Sequence, residues 1–207
     1  MKNVIKFMAI CLSIAVVSAC GGGGGGSVAT IPQPKYPGIF LAGDSLTSND
    51  YWDVVIRKYF YPTVWVMAAV PGTTSTQILA SYDKAIKPMV VSGGVFLGTM
   101  GSNDMYAPGF DNTQTLNNMH EIWRKARADG LKVVAFTLNI NDASCSCKVR
   151  LKDLNDHIRA DRGLYDVLID VEKLLPDPND KTYYFDFVHW TEKGATVVSD
   201  AIVTALN

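Results

Sequence analysis

The sequence predicts a three-layer α/β/α sandwich built around a five-stranded parallel sheet. Five short apolar runs alternate with longer segments in which apolar residues recur at helical spacing. Continuous apolar strands are typical of a parallel sheet whose two faces are both covered by helices. Polar, glycine-containing segments follow several of the runs. These segments lie at the carboxyl ends of the predicted strands, which is where ligands bind in open α/β sheets.

Glycine and proline residues mark the boundaries between the predicted strands and helices. Gly43 begins a polar turn after the first apolar run, Pro71-Gly72 breaks the second, and Pro88 precedes the third. Gly130 ends the helix that leads into the fourth strand. The predicted strands are Ile39–Ala42, Val64–Val70, Met89–Val91 together with Val95–Leu97, Lys132–Leu138 and Val167–Ile169.

The helices follow from apolar residues three and four positions apart. One such face consists of Leu116, Met119, Ile122, Trp123 and Ala126. The face of the last helix consists of Ala195, Val198, Ala201, Ile202 and Ala205. The predicted helices are about Tyr51–Phe60, Thr73–Lys87, the segment around residues 116–126, Val149–Ala160 and a final helix from about Thr191.

Residues 1–19 are predicted to be a signal peptide. Lys2 and Lys6 precede an apolar stretch, Phe7–Val17, that is too short to span a membrane and ends in small residues. The segment Val17–Cys20 resembles a bacterial lipoprotein processing site, which implies cleavage before Cys20 and lipid on its sulfur. The alternative is an ordinary secretory signal with an incidental cysteine.

Residues 20–37 are predicted to be a tether. Six consecutive glycines, Gly21–Gly26, are followed by a segment with three prolines, which favours a flexible and then stiffer linker. In the lipoproteins that this segment resembles, glycine after the lipidated cysteine is compatible with transfer to an outer membrane. We therefore expect an envelope protein held to a membrane, in our prediction the outer one, through Cys20.

Residues 38–207 are predicted to form one domain with a single substantial core. The chain has 19 basic and 20 acidic residues and a net charge of −1, so it has no excess positive charge that would attract nucleic acid. We expect no nucleic-acid partner and no cofactor. Because no second cysteine pair or histidine cluster accompanies Cys145 and Cys147, we also expect no metal.

Ser45 is the candidate nucleophile. It lies in the turn after the first strand, where it points from the carboxyl edge of the sheet toward the amino end of a helix. The free N–H groups and dipole of a helix at that end favour a nearby oxyanion. Asp44 is expected to fix the turn through backbone hydrogen bonds. The alternative is that both residues simply cap the helix.

His189 is the candidate general base. The chain has three histidines, and the other two, His120 and His157, fall inside predicted helices without an aspartate three residues earlier. Asp186 stands at that spacing before His189, where it can orient the imidazole and stabilise its charged form. The alternative is a surface His–Asp pair.

Four blocks in order resemble the SGNH or GDSL hydrolase family over nearly the whole domain. They are Gly43-Asp44-Ser45, Pro71-Gly72-Thr73, Gly101-Ser102-Asn103-Asp104 and Asp186-Phe187-Val188-His189. The resemblance implies the flavodoxin-like fold of that family and a triad of Ser45, Asp186 and His189. It further implies an oxyanion hole formed by the backbone N–H groups of Ser45 and Gly72 and the Asn103 side chain. Met67 stands where many members carry asparagine.

The resulting prediction is an exported, lipid-anchored serine esterase that forms a covalent acyl-enzyme. Its expected partners are small esters or acylated glycans, with acetyl or other short acyl esters on carbohydrate, lysophospholipids and thioesters as substrates. The hypothesis from another class is a non-catalytic envelope protein that keeps the fold to bind glycan. The presence of Ser45, Asn103 and His189 argues against it.

Two further groups of residues are left with open interpretations. Tyr106, Phe110 and Trp190 either line an acyl pocket or stack on a sugar, or they cover the edge of the core. Exported chains form disulfides, although a Cys-x-Cys ring is tight. A strained local disulfide between Cys145 and Cys147 is favoured over two free thiols.

Overall fold

The computed structural model describes residues 34–48, 50–107, 109–140 and 147–207. The predicted signal peptide, the lipidated Cys20, most of the tether, and Cys145 lie outside the described residues, as does the side chain of Cys147. No helix in the described ranges is both long and apolar enough to cross a membrane.

A five-stranded parallel sheet forms the centre of the domain and confirms the predicted fold class. The strand order is β2-β1-β3-β4-β5, so β1 pairs with β2 on one side and β3 on the other. The register places Phe40 beside Val66 and Phe96. The strands are β1 (Gly38–Leu41), β2 (Val64–Met67), β3 (Val95–Leu97), β4 (Lys132–Phe136) and β5 (Val167–Ile169).

Helices cover both faces of the sheet. They are α1 (Ser45–Ser48), α2 (Asp50–Phe60), α3 (Ser75–Ala85), α4 (Asn112–Ala128), α5 (Cys147–Ala160), α6 (Val171–Leu174) and α7 (Glu192–Leu206). Helix α2 packs against α7, while α4 packs against both α3 and α5. Two 3-10 turns, Lys87–Met89 and Asn103–Tyr106, complete the described structure.

The alternation of side chains along the strands divides the core into two halves. Phe40 and Phe96 belong to the cluster that includes α3, α4 and α5, whereas Ile39 and Leu41 belong to the cluster that includes α2 and α7. All four side chains are fully buried. Each fully buried large apolar side chain contributes about 1.5–3 kcal/mol, so the sheet is held from both sides.

The predicted third strand was too long. Lys87–Met89 form a 3-10 turn with Pro88 near its start, and Gly93 adopts a positive φ of 83°. Neither conformation continues a strand, so β3 begins only at Val95. Strand β2 likewise ends at Met67. After it, the N–H of Val70 donates to Gly43 O, which draws this loop toward the turn that follows β1.

The predicted face of the last helix was wrong at one position. Ala195, Val198 and Ile202 are buried as expected, but Ala205 is exposed. Leu206 occupies the core position instead, four residues after Ile202, because the helical repeat of 3.6 residues places it on the same face.

Candidate active site

The structure brings Ser45, His189 and Asp186 into one chain of hydrogen bonds. Ser45 Oγ lies 2.8 Å from His189 Nε2, and His189 Nδ1 lies 2.7 Å from Asp186 Oδ2. Because a carboxylate can only accept, Nδ1 carries the proton that it donates to Asp186, and Nε2 is free to accept from the serine hydroxyl. The three groups therefore form a proton-transfer path.

A buried polar network fixes the turn that carries Ser45. Asp44 N donates to Thr99 O at 3.1 Å, and Asp44 Oδ1 accepts from Leu46 N at 3.0 Å and from Thr99 Oγ1 at 2.7 Å. Thr47 Oγ1 in turn accepts from Thr99 N at 2.7 Å. A Cβ on Gly43 would lie 2.2 Å from Thr47 Oγ1, so only glycine fits here.

Asp44 is a fully buried carboxyl group in the turn that carries Ser45, the candidate nucleophile; we call this turn the nucleophile turn. Burial raises the pKa of Asp44 to about 6, and interactions with Thr99, Leu46, Ser102 and His189 only partly offset that effect. Within the part of the chain that the structure describes, Asp44 Oδ2 accepts no hydrogen bond of good geometry. Asp44 thus braces the turn, as predicted, while its own charge is poorly stabilised.

The segment that carries Asp186 and His189 is a tight turn closed by its own backbone. Asp186 Oδ1 accepts from Val188 N at 2.7 Å and from His189 N at 2.6 Å, in addition to the bond between Oδ2 and the ring. Partial burial alone would raise the pKa of Asp186, but these hydrogen bonds from His189 and Val188 outweigh it and hold the pKa below its ordinary value. The carboxylate stays ionised at neutral pH.

Asn103 reaches the site from the loop after β3. Its Nδ2 donates to Thr73 O at 3.0 Å, which orients the amide and joins the loops that follow β2 and β3. The next residue, Asp104, accepts from Ser75 N at 2.7 Å and Ser75 Oγ at 2.5 Å. Asp104 therefore braces the Asn103 loop against the start of α3.

A cavity of about 280 Å³ is lined by side chains of the predicted triad and by Asn103. Its lining consists of Ser45, Ser102, Asn103, Tyr106, Asp186, Phe187, Val188 and His189. Gly72 lies in the adjoining loop, exposed and with a φ of 81°, and is not part of this lining. A larger cavity of about 400 Å³ beside β4 and α5 contains none of these side chains.

The aromatic residues divide between core and cavity. Trp190 is 1% exposed and belongs to the core, and Phe110 packs against the opposite core cluster. Tyr106 is exposed and lines the cavity. Phe187 also lines the cavity, and its place between Asp186 and His189 is the sequence signal for it.

Both remaining histidines lie on helices, as predicted, and one of them forms a pair that the sequence did not reveal. His120 Nε2 lies 2.7 Å from Asp161 Oδ2, which is 41 residues away in the chain. His157 Nδ1 instead contacts the Asp153 carbonyl at 2.8 Å, one helical turn earlier. Local spacing identified the Asp186–His189 pair but could not identify a long-range one.

Comparison with known families identifies the class of protein that has this fold and this cavity. The model of the GDSL-like lipase/acylhydrolase family matches residues 41–197, which include all four blocks. The chain therefore belongs to the GDSL-like lipase/acylhydrolase family and is a hydrolase. A comparison with curated protein sequences gives no match.

Solved structures with low sequence identity share the fold. A GDSL-like lipase from Bacteroides thetaiotaomicron is 18% identical, with a TM-score of 0.70 over 86% of this chain and 92% of that one. A lipolytic G-D-S-L family member from Veillonella parvula is 16% identical, with a TM-score of 0.69 over 81% and 96% of the two chains. A catalytic mutant of an acetylxylan esterase from Geobacillus stearothermophilus is 9% identical, with a TM-score of 0.69 over 86% and 97%.

Proposed function

We propose that this hydrolase cleaves carboxylic esters through a covalent acyl-enzyme on Ser45. The observation that carries the proposal is the continuous hydrogen-bonded path from Ser45 Oγ through His189 to Asp186, with distances of 2.8 Å and 2.7 Å. Nucleophile, base and orienting carboxylate are the three groups that acyl transfer requires of a serine enzyme.

In the first half-reaction, Ser45 Oγ attacks the ester carbonyl carbon while its proton moves to His189 Nε2. The tetrahedral intermediate then collapses, and the protonated His189 returns the proton to the departing alkoxide, which leaves as the alcohol. In the second half-reaction, water attacks the acyl carbon and gives a proton to His189. That proton returns to Ser45 Oγ as the carboxylic acid leaves.

The negative charge on the carbonyl oxygen requires donors that are already in place. We assign this role to the backbone N–H groups of Ser45 and Gly72 and to the Asn103 side chain. The bond from Asn103 Nδ2 to Thr73 O uses one amide hydrogen and leaves the second for the oxyanion. It also connects the Asn103 amide to the loop that contains Gly72.

Short acyl groups, acetyl among them, suit this cavity best. A volume of about 280 Å³ is small, and serine, asparagine, aspartate and histidine make up much of its lining. The acetylxylan esterase of the same fold makes an acetylated carbohydrate the first substrate to test. Lysophospholipids and thioesters follow. The aligned Ser45 and His189 disfavour a purely glycan-binding role, which would need neither group.

The experiment that tests this proposal compares two serine variants on chromogenic esters of increasing acyl length. We expect turnover that is greatest with acetyl and falls with chain length, and Ser45→Ala should abolish it. Ser48→Ala removes a hydroxyl from the same short helix and should keep it, because among the described residues Ser48 Oγ donates to Ser45 O and not to His189. Undiminished turnover in Ser45→Ala, or none in the unaltered protein, would contradict the proposal.

We further propose that Cys20 carries the lipid and that residues 20–37 tether the domain to the outer membrane of a bacterial cell envelope. The signal-like stretch that ends in Val17–Cys20 and the glycine after it support this arrangement. Cys20→Ala should release the protein from membranes or leave its signal uncut. If the unaltered protein fractionates as fully soluble and unlipidated, the anchor is refuted.

A further inference from the structure

Phe185 is an exposed aromatic residue that contacts the catalytic candidate His189 directly. The two rings are stacked, with centroids 5.5 Å apart and planes inclined by only 13°. Phe185 is nevertheless 60% exposed, and it belongs to neither core cluster. Its position is therefore not explained by core packing.

The backbone builds this contact. Tyr184 and Trp190 form an antiparallel bridge, and in the same register Phe185 N donates to His189 O at 3.1 Å. Phe185 thus lies directly opposite His189, and residues directly opposite across an antiparallel pair have neighbouring side chains. Tyr184 and Trp190 are buried, so the alternation of faces turns Phe185 and His189 to the other side.

We propose that Phe185 is a positioning residue for His189. Its ring holds the imidazole plane in line with Ser45 and stabilises the positive charge that His189 acquires during the reaction. The proposal rests on the proposed function, in which His189 takes the Ser45 proton. The face of an aromatic ring attracts a cation more strongly than a neutral group. The contact therefore strengthens as the proton arrives, which favours the transition state over the ground state.

The charged groups around His189 leave this role open to Phe185. Asp186 on the same turn binds Nδ1, and the buried Asp44 interacts with His189 from the nucleophile turn. Both act through their charges. On the same segment, Lys181 places its Nζ 4.7 Å from the ring of Phe187. Phe185 instead stacks on the face of the imidazole.

The test replaces Phe185 with an aliphatic and with an aromatic side chain. Phe185→Leu should lower kcat/KM on a short-chain ester about two- to fivefold, mainly through kcat. The acid limb of the pH profile should move to lower pH by about half a unit, because the protonated imidazole is less stabilised. Phe185→Trp should restore both values. Tyr59→Leu, which removes an exposed aromatic residue from α2, should change neither.

An NMR titration of the His189 ring in the Ser45→Ala background separates this proposal from the proposed function. Adding Phe185→Leu should move the His189 titration midpoint to lower pH and remove the ring-current shift from the stacked phenyl group. An unchanged midpoint, or an equal change in the Leu and Trp variants, would overturn the role of Phe185 whatever the activity. Loss of the proposed function would instead appear as turnover that survives Ser45→Ala.

Discussion

The molecule contains two His–Asp pairs with the same separation and different surroundings. His189 Nδ1 lies 2.7 Å from Asp186 Oδ2, and His120 Nε2 lies 2.7 Å from Asp161 Oδ2. In the first pair the other ring nitrogen of His189 lies 2.8 Å from Ser45 Oγ. In the second, the ring of His120 lies 5.8 Å from that of Trp123 on the same helix.

The difference shows that an ion-pair distance does not define a reactive centre. His189 stands before α7, beside the loops that follow β1 and β3, and lines a cavity with Ser45 and Asn103. His120 lies within α4, and Asp161 follows the end of α5, so that pair joins two helices. Its expected role is to stabilise the fold modestly, by about 1 kcal/mol or less.

The largest expected effect distinguishes the two histidines. His189→Ala should lower kcat/KM on a short-chain ester by roughly a thousandfold or more, because it removes the nitrogen that lies 2.8 Å from Ser45 Oγ and accepts its proton. His120→Ala should leave kcat/KM close to that of the unaltered protein and slightly lower its thermal midpoint. Steady-state kinetics of the two variants at one pH provide the comparison.

For the unaltered protein, kcat/KM should rise from acid to neutral pH because the reaction requires an unprotonated base, and His120→Ala should keep that profile. Equal activities of His189→Ala and His120→Ala would mean that the aligned pair is structural and that the base lies elsewhere.

The aspartate partners of His189 and His120 allow the same comparison between the two pairs with a smaller change of structure. In Asp186→Asn, the amide oxygen would keep the backbone N–H groups of Val188 and His189, and the new NH₂ would face His189 Nδ1. Nδ1 would then have to accept, which puts the ring proton on Nε2 and blocks proton transfer from Ser45. We expect a loss of kcat of about 10²–10⁴.

Asp161→Asn is the matched control, since it changes the partner of His120 in the same way. It should leave kcat unchanged, because the tautomer of His120 has no part in the reaction. A comparable loss of kcat in the two variants would indicate a general effect on the fold.

Two asparagines extend the comparison to the oxyanion. Asn103→Ala should lower kcat by roughly a hundredfold with little change in KM, because an oxyanion donor acts mainly in the transition state. Asn118 also donates through Nδ2, to Ser75 Oγ and Thr76 Oγ1, but it lies on α4 outside the cavity lining. Asn118→Ala should preserve kcat. A large increase in KM in Asn103→Ala, with kcat intact, would assign Asn103 to substrate binding instead.

Asp44 is a third aspartate, whose carboxyl group interacts with His189 but does not orient it, and its expected effect is on stability. The pKa of Asp44 is about 6 in the folded protein and near 3.8 in an ordinary environment, so the folded state binds this proton more tightly. Its contribution to stability is fully present well below pH 3.8 and is lost as the pH rises through 6, a total decline of about 3 kcal/mol.

Asp44→Asn keeps the acceptor for Leu46 N and Thr99 Oγ1 and removes the charge. Urea unfolding between pH 4 and 7 should therefore show that the free energy of unfolding of the unaltered protein falls relative to that of the variant. If the free energies of unfolding of the two proteins depend on pH in the same way, burial does not destabilise the charge of Asp44.

Much of the fold was predictable because its signals are local. Short apolar runs, with breaks at Gly43 and Pro71 and a helix end at Gly130, located all five strands. The blocks that contain Ser45, Asn103 and His189 located residues that meet in the cavity. Met89–Val91 failed as a strand because apolar composition does not record the turn that Pro88 begins. Boundaries depend on such backbone details.

Contacts between distant segments were beyond the sequence. Thr47 and Thr99, which hold the nucleophile turn, are 52 residues apart, and nothing in either local pattern relates them. The His120–Asp161 pair was hidden for the same reason. The stacking of Phe185 on His189 depends on a register that only the Tyr184–Trp190 bridge defines. Residues whose partners lie far along the chain require the folded structure.

The central claim is that Ser45, activated by His189, becomes acylated. Mass spectrometry of the protein after treatment with a fluorophosphonate probe tests it most directly, since the probe traps the activated serine. We predict one adduct, on the peptide that contains Ser45, at a rate that falls sharply in His189→Ala but not in His120→Ala. Labelling of Ser75 or Ser102 instead, or equal rates in the two histidine variants, would contradict the account.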